Sequence, residues 1–322
     1  PRIGFSLVIT DKSTFTFNYG LYMQNPIYQD VYLNTNRLEN PEELFEESEQ
    51  SVVGNATIGA EKTQEYSAGL NVQVGRSWKY SIMAWVKDMD QMTRYNHQRS
   101  GVYTYSVGAN GDYGSAKGID IDLEWRGRMF GSKLQYGNMI TKQNSEYAWA
   151  SISGQYIDAP SQESITYFDR PHTLTYWLYT MLPFGIRTSL VARYESGTPY
   201  TPMIFAGRDP TYDGKNPNSK RSPGWKDLDI SFSKYISTMG HTIAMGLNVY
   251  NVLDIRNAVD VYPLTGKPLD PGEYYTNYVG LPGTDPAGVG VSADKSSAYY
   301  DRPWRLSQPR EINFFIRIDF EK

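Results

Sequence analysis

The sequence predicts an all-β fold, an antiparallel transmembrane β-barrel of which this chain supplies about 11 strands of a total of 22. Three observations predict it. Side chains alternate between apolar and polar with period two along nearly every segment, where a helix would repeat near 3.6. The segments run to ten residues or more, against a mode of about five or six in soluble sheets. The connections alternate strictly between tight turns and long loops, the asymmetry of barrels that cross an outer membrane.

Each strand carries the pattern in turn. Ile3, Phe5, Leu7 and Ile9 share one face over 2–10, and after Asp11-Lys12-Ser13 the residues Phe15, Phe17, Tyr19 and Leu21 share one over 14–22. The long connection that follows holds the only helix-like signal, Asn40 as cap, Pro41 at the first helical position, and Glu42 and Glu43 in the first turn. Strands over 61–75 and 78–95 flank Gly75-Arg76-Ser77. Over 112–127, Ile119, Ile121, Leu123 and Trp125 alternate with Asp120, Asp122, Glu124 and Arg126, and Arg128-Met129-Phe130-Gly131 leads into 132–147. Strands over 169–182 and 186–196 meet at Pro183-Phe184-Gly185. Leu228, Ile230 and Phe232 mark 225–237, and after Thr238-Met239-Gly240 the residues Ile243, Met245, Leu247 and Val249 mark 241–253. A connection from about Asp254 to Pro309 precedes 310–320, where Ile312, Phe314, Ile316, Ile318 and Phe320 form one face. The other face of that strand is polar except at Phe315. Aromatic residues gather near strand ends, as in Trp78 with Tyr80 and Tyr136 with Tyr147, which fits interfacial girdles.

Composition narrows the function. With 31 basic and 35 acidic residues the net charge is −4, so no basic stripe awaits nucleic acid. The absence of cysteine excludes a disulfide framework, thiolate catalysis and zinc–cysteine sites, and is compatible with an oxidising compartment. No run approaches 18 consecutive apolar residues, so no helix of this sequence crosses a membrane. The chain opens at Pro1 on a strand-like segment, without a signal-peptide pattern or an initiator methionine. Tight turns of such barrels lie in the periplasm. The last strand follows a long loop and therefore ends there, and counting back through eleven strands starts the first outside the cell. Since a complete barrel with periplasmic termini needs an even number, the expectation is that residues 1–322 are the C-terminal part of a larger barrel domain.

The residues resemble the C-terminal half of the barrel of TonB-dependent receptors. Pro1-Arg2-Ile3-Gly4-Phe5-Ser6 through Phe15-Thr16-Phe17-Asn18-Tyr19-Gly20 is similar to a recurrent hairpin of large, Oar-like members. Further similarities are Tyr66-Ser67-Ala68-Gly69-Leu70, Gly118-Ile119-Asp120, Phe168-Asp169-Arg170-Pro171-His172-Thr173-Leu174 and Arg193-Tyr194-Glu195-Ser196-Gly197-Thr198-Pro199-Tyr200. Asn248-Val249-Tyr250-Asn251-Val252-Leu253-Asp254, then Val261-Tyr262 and Thr265-Gly266, resembles the penultimate strand and its outgoing loop. The resemblance implies location in the bacterial outer membrane, contact with its lipid, and uptake of a bulky nutrient such as a siderophore, vitamin, oligosaccharide or peptide. It also implies an N-terminal plug, the remaining barrel strands and a TonB box, none of which falls within these residues, so coupling to the TonB complex is an implication of the family. The terminal aromatic is Phe320, followed by Glu321 and Lys322, a departure from the usual C-terminal signal.

Candidate chemistry is sparse, and no cofactor or metal pattern emerges. His97, His172 and His241 have no metal-ligand spacing. His172 suits a structural hydrogen bond, and His241 a solvated turn. His97, preceded by Asp88 and Asp90, allows a water-activating pair at a barrel rim, the basis of an alternative reading as a small outer-membrane hydrolase. Asp120, Asp122 and Glu124 form a carboxylate column, read first as a water-facing lumen wall pairing with arginines on neighbouring strands or a plug. Asp209-Pro210-Thr211-Tyr212-Asp213-Gly214 resembles a calcium loop only faintly and reads as a turn. Tyr200, Tyr212, Trp225, Tyr299, Tyr300, Arg302 and Trp304 are the ligand-capture candidates, because such side chains offer large area with few rotors. Tyr274 and Tyr275 lie in the same loops. A secreted glycan-binding all-β module with an aromatic platform is the remaining alternative.

Overall fold

The computed structural model describes residues 1–34, 52–100, 103–144, 163–205, 207–238, 241–274 and 303–320. The helix signal at Asn40–Glu43 and the aromatic Tyr147 lie outside them. Eleven long strands form one antiparallel sheet in which each pairs with its neighbour in sequence. They are β1 (Arg2–Thr10), β2 (Ser13–Gln24), β3 (Glu61–Val74), β4 (Trp78–Ser100), β5 (Tyr103–Arg126) and β6 (Phe130–Gln143), then β7 (His172–Leu182), β8 (Ile186–Glu195), β9 (Trp225–Thr238), β10 (His241–Tyr250) and β11 (Glu311–Phe320). Two short strands attach to this path, Val52–Val53 parallel to Ser106–Val107, and Ser164–Ile165 beside Lys142–Gln143. Among the described residues β1 pairs only with β2 and β11 only with β10, so the sheet is open with an edge at each end.

The register shows how alternation becomes a wall. Phe5, Phe17, Ala68, Ala84 and Ile119 stand opposite one another across β1 to β5. The next residue along each strand faces the other way, so Thr16, Gly69, Met83 and Asp120 share the reverse side. The same segregation ends at β11, where Ile312, Phe314, Ile316 and Ile318 pair with Val249, Leu247, Met245 and Ile243. This apolar stripe is uncovered, with Ile312 62%, Phe314 66%, Ile316 58% and Ile318 51% exposed. The buried apolar side chains among the described residues are Val53, Ala116, Ala244, Val261 and Tyr262, none of them on the apolar face of the sheet. A sandwich would bury one face of each strand against a second sheet. Here the apolar face has no protein layer over it.

One predicted loop is a ladder. The sequence suggested a long connection over 96–111, yet β4 and β5 stay paired from Trp78↔Trp125 to Ser100↔Tyr103, far beyond the roughly 9–11 residues that span a bilayer. Register shifts between Met89 and Thr93, with Gln91 at φ 57°, interrupt the period-two signal within the hairpin. Four tight turns are as expected, Gly75 and Gly185 taking positive φ, while residues 239–240 of the fifth lie outside the described residues.

The lone aromatic on the polar side of β11 has a reason. Phe315 stands opposite Gly246, and a Cβ on that glycine would come 2.3 Å from the ring. Trp85 covers Gly118 and Tyr179 covers Gly131 in the same way, again as direct ladder pairs. Each ring lies flat on a glycine of the polar face, which restores packing that the glycine lacks. Gly246→Val should therefore lower the stability of the protein by about 1–3 kcal/mol. Phe315→Ala in the same background should recover part of the loss. Thermal unfolding in detergent, followed as a double-mutant cycle, measures both, and additive effects would refute the pairing.

Candidate functional site

The loop-bearing end gathers the predicted ligand candidates, and its geometry begins with how the loops are tied down. The stretch 52–60 is sewn onto the β4–β5 hairpin: Asn55 Nδ2 donates to the Gly108 carbonyl at 2.9 Å, and Asn110 accepts from the Gly59 amide at 2.6 Å. In the short helix α1 (Tyr28–Tyr32), buried Asp30 accepts from the Tyr95 hydroxyl at 2.5 Å. Partial burial, then the hydrogen bond and charge of Asp30, push the Tyr95 phenol from 10.0 up to about 12.

A second tie joins the loops after β6 and β8. Asp169 is 0% exposed and accepts from the Thr141 amide at 2.6 Å and the Thr141 hydroxyl at 3.1 Å. The Arg221 guanidinium pairs with the same carboxylate and donates to the carbonyls of Asp169 and Gly197 at 2.8 and 3.2 Å. A third tie explains the Asn248–Asp254 motif. Asn251, at φ 50°, donates to the carbonyls of Ile255 and Gln308 at 3.0 and 3.2 Å, and Asp254 accepts from the Arg310 amide at 2.8 Å. Asn257 bridges Lys226 in both directions at 2.8 Å, so the last loop is anchored at its start and its end. Arg305 lies 3.9 Å over the Tyr262 ring and 3.4 Å from Asp260. These residues hold loops; the motif is structural.

The predicted capture residues separate into two groups. Tyr200 is half-buried in a short strand pair with Lys220–Arg221, its hydroxyl packed against Gly266, and burial raises its pKa. Tyr212 is half-buried in the hairpin Met203–Phe205 with Pro210–Tyr212, and burial, then the charge of Asp260, raise its pKa. Trp225 starts β9 opposite Glu195, on the polar face at the mouth, and Trp304 is 68% exposed. Tyr274 donates to Asp209 at 2.5 Å, joining two loops. Tyr275, Tyr299, Tyr300 and Arg302 lie outside the described residues.

The polar face of the sheet carries charge partnerships that alternation alone could not assign. Asp120 accepts from Trp85 Nε1 at 2.9 Å, Lys133 lies 3.4 Å from Asp122, and Glu124 pairs with Arg126 on its own strand. Asp122 also accepts from Ser81 and Gln135, so the partners within the sheet are tryptophan, lysine, serine, glutamine and a same-strand arginine, where the sequence suggested arginines of neighbouring strands or of a plug. Arg193, which the sequence offered only as part of the Arg193–Tyr200 motif, lies 3.0 and 3.1 Å from Asp227 and Asp229. A residue at 193 faces 227 in the ladder, so an arginine aligned with an Asp-x-Asp pair was the available signal.

The remaining candidates are structural. His172 Nδ1 lies 2.9 Å from the Tyr136 hydroxyl, the expected hydrogen-bonding role. His241 is half-buried beside its turn, where the sequence suggested solvation, because β10 has ladder partners on both sides there. The backbone of His97 pairs with Ser106 high on the hairpin, seven positions beyond Asp90, roughly 20 Å along a strand. That separation removes the acid–base pair. Asp213 accepts from Lys215 and Asn216 at 3.2 and 2.9 Å in a turn, and no metal-binding cluster occurs among the described residues.

An open antiparallel wall with one uncovered apolar face, a charged reverse face and tethered loops at one end defines part of a large outer-membrane β-barrel. A family model described as TonB dependent receptor-like, beta-barrel, matches residues 1–252, and the chain belongs to that family, which places it in the bacterial outer membrane. No curated protein matches the sequence. Among solved structures the fold is similar to the outer membrane transporter YddB from Escherichia coli, with 12% identity, TM-score 0.60 and 81% of this chain covered. It is also similar to the copper transporter OprC, with 14% identity, TM-score 0.53 and 99% covered. The FrpB iron transporter from Neisseria meningitidis is similar at 14% identity, TM-score 0.53 and 80% covered. The chain spans 37, 39 and 35% of those three chains respectively.

Two outcomes test this geometry. Arg221→Ala strands the Asp169 carboxylate without its cation and should cost about 3–5 kcal/mol locally. Hydrogen exchange should register faster opening of 163–171 and 196–222, and unchanged protection would refute the tie. For Tyr95 the folded state favours the neutral phenol, so its stabilisation is complete below about pH 10 and is lost as pH rises through about 12. The ultraviolet difference titration between wild type and Tyr95→Phe should show one phenol ionising near 12, moving downward in Asp30→Asn.

Proposed function

We propose that residues 1–322 form the C-terminal part of the barrel domain of a 22-strand receptor that takes up a bulky nutrient by TonB-coupled transport. The observation that carries the reading is the pair of single-sided edges, β1 and β11, each on a strand whose apolar face is uncovered. Open edges are not tolerated in lipid, so further strands of the same protein would close the ring, and an N-terminal plug would fill it. The charged reverse face then lines the lumen, where Arg193, Asp227, Asp229, Lys133 and Asp122 meet water or the plug. Trp225 and Trp304 serve as capture residues at the mouth, and Tyr299, Tyr300 and Arg302, outside the described residues, are proposed for the same role. Tyr200 and Tyr212 support them by packing the loops.

The reading is of a receptor without enzymatic activity or cofactor. The similar structures include a copper transporter and an iron transporter, and siderophore, vitamin, oligosaccharide and peptide are the cargo classes proposed for this chain. The glycan-module alternative lacks support from an apolar face with no second sheet, and the hydrolase alternative from the distance between His97 and Asp90.

Membrane facing is tested by paired substitutions in the full-length receptor. Phe314→Arg places charge against acyl chains and should cost about 2–4 kcal/mol near the midplane, reducing the folded receptor in the outer membrane. Asn313→Arg, on the reverse face, should assemble normally. Equal assembly of both would reject the orientation. Transport is tested by competition of a deletion strain across chelated iron, copper, cobalamin and oligosaccharide sources, with and without an uncoupler of the proton-motive force. Growth on one source should require both the receptor and the force; growth that survives the uncoupler would reject TonB coupling.

A further inference from the structure

A shallow groove of about 440 Å³ crosses the apolar face between β2 and β6. Its origin is one row of the ladder: Phe17, Ala68, Ala84 and Ile119 stand opposite one another on four successive strands. Two methyl side chains between a ring and a branched chain leave a depression. The next row toward the loops brings Tyr66 and, on β5, Lys117 to the groove's rim.

Lys117 is the anomaly. It is an exposed lysine on the face that otherwise carries Ile119, Ile121 and Leu123, and among the described residues it has no ion-pair partner. It lies nine residues above Arg126 at the turn end of β5, which on a tilted strand is roughly 20–25 Å, the height of the apolar band. A lysine there reaches the headgroup layer on the loop side, which is the outer leaflet. Lys142 lies one diagonal step further out on β6. Asp88 and the Ser115–Glu163 hydrogen bond share that outer row with Lys142, so Lys117 is the cationic side chain at the groove's own rim.

We infer that this groove binds a phosphorylated lipid of the outer leaflet, one acyl chain lying over Ala68 and Ala84 between Phe17 and Ile119, its phosphate paired with the Lys117 ammonium. A charge at the edge of lipid is favourable when a counter-charge meets it, and a phosphate above an apolar slot supplies both halves of the match. The inference rests on the outward orientation of this face and is independent of the cargo.

Native mass spectrometry of the full-length receptor in mild detergent tests it, with bis-phosphorylated lipid A, its dephosphorylated form and phosphatidylglycerol as probes. Wild type should retain bis-phosphorylated lipid A roughly tenfold more tightly than its dephosphorylated form, the scale of one charge-assisted contact, and more tightly than phosphatidylglycerol, whose phosphodiester carries less charge than a phosphomonoester. Lys117→Gln should lose that margin, Lys117→Arg should keep it, and Ala84→Phe should lose it by filling the floor without changing charge. Equal retention across wild type, Lys117→Gln and Ala84→Phe would overturn the site. Sensitivity to Lys117 without sensitivity to Ala84 would overturn the groove, and phosphatidylglycerol bound as tightly as lipid A would overturn the outer-leaflet assignment. Binding is read on the folded fraction, identified by heat-modifiable mobility. A receptor that stays soluble without detergent would instead signal failure of the membrane orientation itself.

Discussion

In hydrocarbon every backbone amide and carbonyl must find its partner within the protein, and most of this architecture follows from that demand. It is why consecutive strands pair antiparallel without a break from β1 to β11. It is also why the side chains, relieved of forming a core, sort by face. Water-soluble sheets hide their apolar face against a second layer; this one leaves Phe5, Phe314 and Ile316 bare and still satisfies the hydrophobic effect, because the solvent on that side is itself apolar. The reverse face is then free to carry ions such as Arg193 between Asp227 and Asp229.

The same demand ends at the headgroups, and the chemistry changes there. Beyond the band, loops cannot rely on a ladder, and they are held by buried or half-buried polar groups instead. Asp169 with Arg221 joins two loops, Asn251 and Asn257 close the ends of a third, and Asp30 with Tyr95 pins a helix to the hairpin. Arg221, Asn251 and Asn257 each satisfy two or more backbone groups, while Asp30 and Tyr95 meet side chain to side chain. The result is a mouth whose framework is rigid and whose exposed aromatics, such as Trp304, sit on it.

The wall was legible in the sequence because period two survives any register: Ile119 and Asp120 must face opposite ways whatever their neighbours are. Strand ends were therefore read to within a few residues, and the open edges followed from counting. The upper β4–β5 hairpin was not legible, since the shifts between Met89 and Thr93 reset the alternation and the stretch beyond is rich in Asn, Gly and Ser. Nor was the fate of the mouth aromatics. Tyr200 and Tyr212 look like Trp304 on paper, but whether a ring packs or projects depends on contacts such as Gly266 and Asp260, which lie far off in sequence. The Asp169–Arg221 pair spans 52 residues, and no local pattern announces it.

The β4–β5 hairpin has a mechanical consequence. Paired to Ser100↔Tyr103 across one bulged stretch and braced on one side by Val52–Val53, it continues for roughly ten residues per strand, about 35 Å of extended chain, above the level at which the ladders of its two neighbours end. Among the described residues this hairpin therefore presents backbone-paired surface at a level where the adjoining strands offer only loops.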